Sequence, residues 1–228
     1  MKISKNTLDL LKNFSGINTS IIVKPGNEIS TVNIAKTVVA FAKVPEDFPV
    51  QFGIYDLNNF IATVNLFEEA DVEFNTNYMT ITGGASKCSY GYAEEQVIIS
   101  PKNRVKFPGG EVEFDLPKDT FDRIMKASST LGLPMLAVTK DEKNNIVLKA
   151  IDPKNPNANA FSVVVGQDLS DNTYNFQIQT DLLKMVRADY KVSISSRCLC
   201  RFSASDIEYF VAAEKSSEFS GTKIEIAS

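Results

Sequence analysis

Hydrophobic and polar residues alternate in short runs along most of the chain, the two-residue period of a half-buried β-strand. In the first half, SIIVK at 20–24, KTVVAFAK at 36–43, DVEFN at 71–75, YMTIT at 78–82 and EQVIIS at 95–100 predict strands. In the second, EVEFD at 111–115, NIVLKAI at 145–151, FSVVVG at 161–166, TYNFQIQ at 173–179, YKVSIS at 190–195 and EYFVAAE at 208–214 continue the series. These runs are rich in β-branched and aromatic residues, which suit a pleated surface. Turn formers separate them, among them Pro25-Gly26-Asn27, Gly83-Gly84 and Asn144-Asn145. The expected class is α+β, mostly β, with antiparallel sheets.

Four stretches carry the longer period of an amphipathic helix instead. Lys5–Ile17 gathers Leu8, Leu10, Leu11, Phe14 and Ile17 on one side, with Lys5, Asn6, Asp9, Lys12 and Asn13 on the other. Asp56–Phe67 sets Leu57, Phe60, Ile61, Val64 and Phe67 against Asn58, Ala62 and Asn65, and Asp56 suits a helix cap. Pro117–Leu131 sets Phe121, Ile124, Met125 and Leu131 against Lys118, Asp119, Asp122, Arg123 and Lys126, with the proline suited to a helix start. Gln179–Ala188 predicts a fourth helix, with Leu182, Leu183, Met185 and Val186 opposite Asp181, Lys184 and Arg187.

The order of these elements repeats: helix, strands, helix, strands before residue 100 and again after 116. Lys5-Asn6-Thr7-Leu8-Asp9-Leu10-Leu11 also aligns with Lys118-Asp119-Thr120-Phe121-Asp122-Arg123-Ile124 at an offset of 113, with three of seven positions identical. That placement is what a duplicated domain predicts, and 228 residues suffice for two domains of about 110. The expected division is a first domain over 1–100, a connector over 101–110 and a second domain over 111–228. The connector, SPKNRVKFPGG from Ser100, holds prolines, glycines and three cations, and Phe107 is an apolar residue on a segment otherwise suited to solvent.

Charge changes this picture. Residues 1–14, 56–67, 117–131 and 180–191, which span the four helical stretches, carry formal charges of +2, −1, +1 and +1, so in a chain of net −4 the remainder carries −7. Mildly basic helices ride on an acidic body. Ordinary solvated helix faces would also carry such residues; cations gathered on one surface would favour a polyanion by counterion release. Asp9, Asp119, Asp122 and Asp181 thin that field and suit loose contact, and no aromatic residue interleaves with the cations to stack single-stranded bases.

Histidine is absent, which excludes Ser-His-Asp and Cys-His nucleophiles, HExxH zinc sites and histidine acid–base catalysis. Cys88, Cys198 and Cys200 cannot complete a Cys/His zinc tetrad within one chain. Cys198 and Cys200 are expected on one face of a strand as buried structural thiols. No apolar run approaches the roughly 18–20 residues of a membrane span, and the N-terminus lacks an apolar signal core, so a soluble intracellular protein is expected.

Four collinear blocks carry a family resemblance. MKISKNTLDLLKNFSGINTSIIVKPGN at the N-terminus, IYDLNNFIATVNLF at 54–67, TYNFQIQTDLLKMVRADYK at 173–191 and EYFVAAE at 208–214 are similar to the sliding clamps of T-even-type bacteriophages. The stretches near 70–100 and 139–170 diverge. The resemblance implies a DNA polymerase processivity factor with two similar clamp domains per chain, each bearing two short helices on antiparallel sheets. Three identical subunits would close head to tail into a homotrimeric ring around duplex DNA, without sequence preference and without a cofactor. A clamp loader would open the ring using ATP, the replicative DNA polymerase would tether to its surface, and the setting would be the cytoplasm of the infected bacterial host. Helical faces combined with that family geometry nominate Lys5, Lys12, Lys118, Arg123, Lys126, Lys184 and Arg187 as phosphate contacts, the second helix contributing least. Val105, Phe107 and Pro108 on the connector are the candidates for docking a partner's peptide tail; the alternative is that Phe107 anchors the connector to its own domain.

Two other classes compete. A histidine-free enzyme would need a catalytic acid, yet Glu68-Glu69, Glu94-Glu95 and Asp141-Glu142 read as solvated turns. Gly83-Gly84-Ala85-Ser86-Lys87 lacks the GxxxxGK spacing of a phosphate loop. A structural β-rich virion protein would show the same strands but leaves the cationic helix faces unexplained.

Overall fold

Lys5 and Lys118, the lysines that open the two matched heptapeptides, are the first residues of α1 (Lys5–Ser15) and α3 (Lys118–Leu131). The computed structural model describes residues 1–155 and 157–222. They fall into two compact units, 1–104 and 105 onward.

In the first unit, α1 is followed by β1 (Ile21–Val23), β2 (Gly26–Val32), β3 (Val38–Phe48), β4 (Phe52–Ile54), α2 (Leu57–Val64), β5 (Asp71–Phe74), β6 (Tyr78–Gly83) and β7 (Ser86–Gly91). The pairings β1 with β4 and β2 with β3 are antiparallel, and β5, β6 and β7 form an antiparallel meander with β7 at its free edge. Thr7, Leu10, Leu11 and Phe14 of α1 are buried, as are Leu57, Phe60, Ile61 and Val64 of α2. Asp56 caps α2, its Oδ1 accepting from the backbone N–H groups of Asn58 at 2.9 Å and Asn59 at 3.1 Å.

The second unit contains β8 (Val112–Leu116), α3, β9 (Met135–Lys140), β10 (Asn145–Ile151), β11 (Phe161–Gln167), β12 (Thr173–Gln179), β13 (Tyr190–Ser195), β14 (Leu199–Ser203), β15 (Ile207–Ala212) and β16 (Glu218–Ser220). One antiparallel sheet runs β11-β10-β9-β12-β16, and four strands pair in the order β15-β14-β13-β8. Helix α3 buries Phe121, Ile124 and Ser128 against β10 and β11 and ends at Gly132, whose φ of 66° lies in the left-handed region that glycine adopts freely.

Three sequence expectations fail. The fourth helix does not form: after a single 3-10 turn at Thr180–Leu182, residues 183–189 have no regular structure. Leu183 and Met185 are buried while Lys184 and Arg187 are exposed, an alternation that an extended chain satisfies as well as a helix does. Tyrosine hydroxyls supply the backbone partners that a helix would have supplied. Tyr209 Oη accepts from Val186 N at 3.1 Å, and Tyr190 Oη donates to Val186 O at 2.6 Å. Among its described residues the second unit therefore carries one α-helix where two were expected.

The expected strand at 95–100 is instead a 3-10 turn, Glu95–Val97, followed by irregular chain. Of its three apolar residues only Ile98 is buried; Val97 and Ile99 stay 59% and 40% exposed. Cys198 and Cys200 do not share a strand face. Cys198 sits in the β13–β14 turn with φ of 59°, whereas Cys200 lies within β14, where burial pushes its thiol pKa up and keeps it unreactive.

A buried carboxylate fixes the start of α1. Glu46 of β3, 7% exposed, accepts from the N–H of Ser4, the cap residue, and from the hydroxyl of fully buried Thr7. Burial alone would raise the Glu46 pKa, but the hydrogen bonds from Thr7 and Ser4 outweigh it and hold the pKa below its usual 4.5. A depressed folded pKa contributes stability above the unfolded value and loses it as pH falls through the folded one. Glu46→Gln is expected to cost about 2 kcal/mol at neutral pH. The gap to the parent should narrow as pH drops below 4.5 in urea denaturation. A gap that stays constant with pH would show that the carboxylate charge plays no part.

Candidate nucleic-acid interface

With its apolar residues turned inward, α1 leaves Lys5, Asn6, Asp9 and Lys12 exposed. Lys5 Nζ sits 2.6 Å from Asp9 Oδ2, one helical turn on, so much of its charge is answered locally. Lys12 Nζ instead donates to a neutral group, Asn58 Oδ1 on α2, at 2.7 Å. On the solvent side α2 itself carries Asn58, Asn59, Ala62 and Asn65, with no basic residue.

Helix α3 exposes Lys118, Asp119, Arg123 and Lys126. Its proline cap has no side-chain acceptor to offer, and Asp189 supplies one from a distant part of the chain, its Oδ1 accepting from Lys118 N at 2.7 Å. Beneath the helix, fully buried Phe121 meets Tyr190 edge-on at 6.0 Å. Arg187 lies over the same ring with its guanidinium carbon 4.3 Å from the centroid, and its Nε is 3.1 Å from Asp122 Oδ1.

The structure thus sorts the seven predicted cations. Lys5 and Arg187 are paired with carboxylates, whereas among the described residues no carboxylate pairs with Lys12, Lys118, Arg123 or Lys126. Lys184 is exposed, beside a cleft of about 420 Å³ lined also by Met125, Ser129, Leu133, Thr180 and Arg187. Arg187 is built more as a buttress for α3 than as a free cation. Arg187→Ala is expected to lower stability by about 1 kcal/mol, through removal of its ring stacking and its ion pair. Its effect on the salt dependence of duplex binding should be smaller than that of Arg123→Ala. A larger effect than Arg123→Ala in a salt titration would reverse that ranking.

On the connector, Val105, Phe107 and Pro108 are each half-buried. The Phe107 ring is 6.3 Å from Phe210 of β15, and Arg201 of β14 lies 5.9 Å from its centroid. Close by, a Cβ on Gly110 would come within 2.9 Å of Ser193 Cβ on β13, so this end of the connector lies flush on the second unit. Phe107 is anchored within its own unit.

Sequence reasoning missed Glu46, Asn58 and Asp189, each of which positions a helix or a cation. It also missed exposed apolar residues: Ile34 in the β2–β3 turn at 78%, Val164 on β11 at 55% and Leu169 after β11 at 80%. The available signal was an apolar residue outside the expected strands at Ile34 and Leu169, and an unbroken apolar run within the expected strand at Val164. Among the described residues no group of three or more His, Cys, Asp or Glu could hold a metal ion.

Residues 3–100 match the family model of the DNA polymerase processivity factor, and residues 113–215 match that of the gp45 sliding clamp, C terminal. The sliding clamp of Vibrio phage KVP40 is 35% identical over 219 residues, covering 94% of this chain and 99% of that protein. This chain belongs to the sliding-clamp family. The sliding clamp of Enterobacteria phage T4 is 26% identical over 226 residues, covering 95% and 98% of the two chains. The clamp fold extends to structures of little sequence likeness. A. fulgidus PCNA, solved bound to the C-terminal region of FEN-1, superposes with a TM-score of 0.69 at 10% identity, covering 95% of this chain and 98% of that one.

Proposed function

We propose that this clamp encircles duplex DNA as a homotrimeric ring, without sequence preference, and tethers the replicative DNA polymerase in the infected bacterial host. Residues 1–100 and 111–228 are its two clamp domains and 101–110 its connector. A clamp loader opens the ring with ATP, and the chain itself performs no catalysis. The observation that carries this reading, beside family membership, is the pair of helices α1 and α3. Each buries its apolar face on its own sheet and turns lysine or arginine lacking a carboxylate partner to solvent. A structural virion protein has no use for such faces.

Ring formation draws on two unpaired sheet edges, one in each unit. Among the described residues, strand β7 has no partner beyond β6 in its sheet, and β11 none beyond β10. Such edges invite pairing with another chain, and a heterologous contact repeated by rotation closes a ring. The exposed apolar side chains of Val164 and Leu169 at β11 fit a contact that is covered in the assembly. The partner's peptide tail docks at the connector, on the parts of Val105, Phe107 and Pro108 that remain open to solvent although Phe107 is anchored on β14 and β15.

The test is native mass through serial dilution, followed by retention on closed circular against linear DNA with loader and ATP. A species near three times 25.1 kDa, retained on circles and lost from linear ends, is expected. Val164→Arg should shift it toward monomer. A wild-type chain that stays monomeric at high concentration would overturn the ring, and a trimeric Val164→Arg would overturn the β11 assignment.

A further inference from the structure

Lys12 and Lys5 share one helix face but are held by opposite kinds of partner. Lys5 is answered by a carboxylate, which cancels its charge at a distance. Lys12 Nζ donates to the side-chain oxygen of Asn58, and Ser15 Oγ lies 3.1 Å from the same oxygen. An ammonium offers only donors, so the oxygen end of the Asn58 amide is the end it requires. A neutral carbonyl fixes the direction of the lysine and leaves its full charge available for counterion release. Holding the rotamer-rich stem before the phosphate arrives also reduces the ordering cost of binding it.

We infer that Asn58 is a positioning residue for DNA binding: α2, with no cation of its own, aims the Lys12 ammonium of α1 outward. The inference rests on the reading that the exposed face of α1 meets the duplex. It also gives a reason for asparagine at 58. Aspartate there would pair with Lys12 as Asp9 pairs with Lys5, and the face would lose its uncancelled cation.

The test is a double-mutant cycle on the full chain, read by fluorescence anisotropy of a short labelled duplex over a series of salt concentrations. Lys12→Ala is expected to flatten the slope of log affinity against log salt by about 0.9 for each phosphate that is no longer neutralised. Asn58→Asp should flatten it similarly. Asn58→Ala should weaken binding by a smaller factor in the parent and have no further effect in the Lys12→Ala background. Asn58 is exposed and the Asp56 cap is untouched, so thermal midpoints should stay close to the parent's. Equal losses from Asn58→Ala in both backgrounds would overturn the inference alone. An unchanged slope in Lys12→Ala would overturn the assignment of α1 as a DNA face, and this inference with it.

Discussion

Reversing charge at Lys12 and Arg123 together, as Lys12→Glu and Arg123→Glu, is expected to abolish processive synthesis while leaving the protein folded. Both residues are exposed, and neither has a carboxylate partner among the described residues, so both charges act on whatever approaches the helices. Each reversal changes the local charge by two, and a trimer repeats the change three times over. Duplex affinity near physiological salt should fall by at least about tenfold, because each neutralised phosphate contributes a separate counterion-release term. Lys5→Glu should do less, since Asp9 already answers that lysine at 2.6 Å. The measurement is product length in primer extension under single-encounter conditions, with circular dichroism to confirm the fold. Full-length products from the double variant would remove α1 and α3 from the DNA-facing surface.

Phe121→Ala is expected to cost the second unit about 3–5 kcal/mol, as for other fully buried phenylalanines. The ring is 0% exposed and supports two neighbours at once, Tyr190 at its edge and Arg187 over its face. Its loss leaves a cavity under α3 and frees Arg187. Urea denaturation should show a lower midpoint, and hydrogen exchange should place the loss of protection in α3. A cost below about 1 kcal/mol would mean that the neighbours collapse into the space.

How far the sequence could be read depended on whether an element's signal was local. The start of α1 was legible at Lys5 and that of α3 within one residue, Pro117 for Lys118, because the apolar spacing of both helices lies within themselves. Asp56 was legible as a cap for the same reason. The 180–189 segment was not. Its apolar residues satisfy a helical and an extended period alike, and the choice was made by adjacent Tyr190 together with Tyr209 and the needs of α3, the last two remote in sequence. Turn chemistry misled at Cys198, where alternation implied a strand and the chain instead reverses. The candidate cations were all visible in the sequence. Which of them are already paired was not, since Asp122 reaches Arg187 only in the fold.

The first turns of α1 and α3 are held from afar, by Glu46 across 42 residues and by Asp189 across 71. Closing loops of that length costs entropy that a helix cannot recover from its own hydrogen bonds. The anchored ends of both helices are therefore expected to gain protection only after β3 and the chain around β13 have found their places, which pulse-labelled hydrogen exchange during refolding would show. On that expectation the cations of α1 and α3 gain a fixed direction only once these distant carboxylates are in place, so the charged face is a product of the finished fold and not of either helix alone.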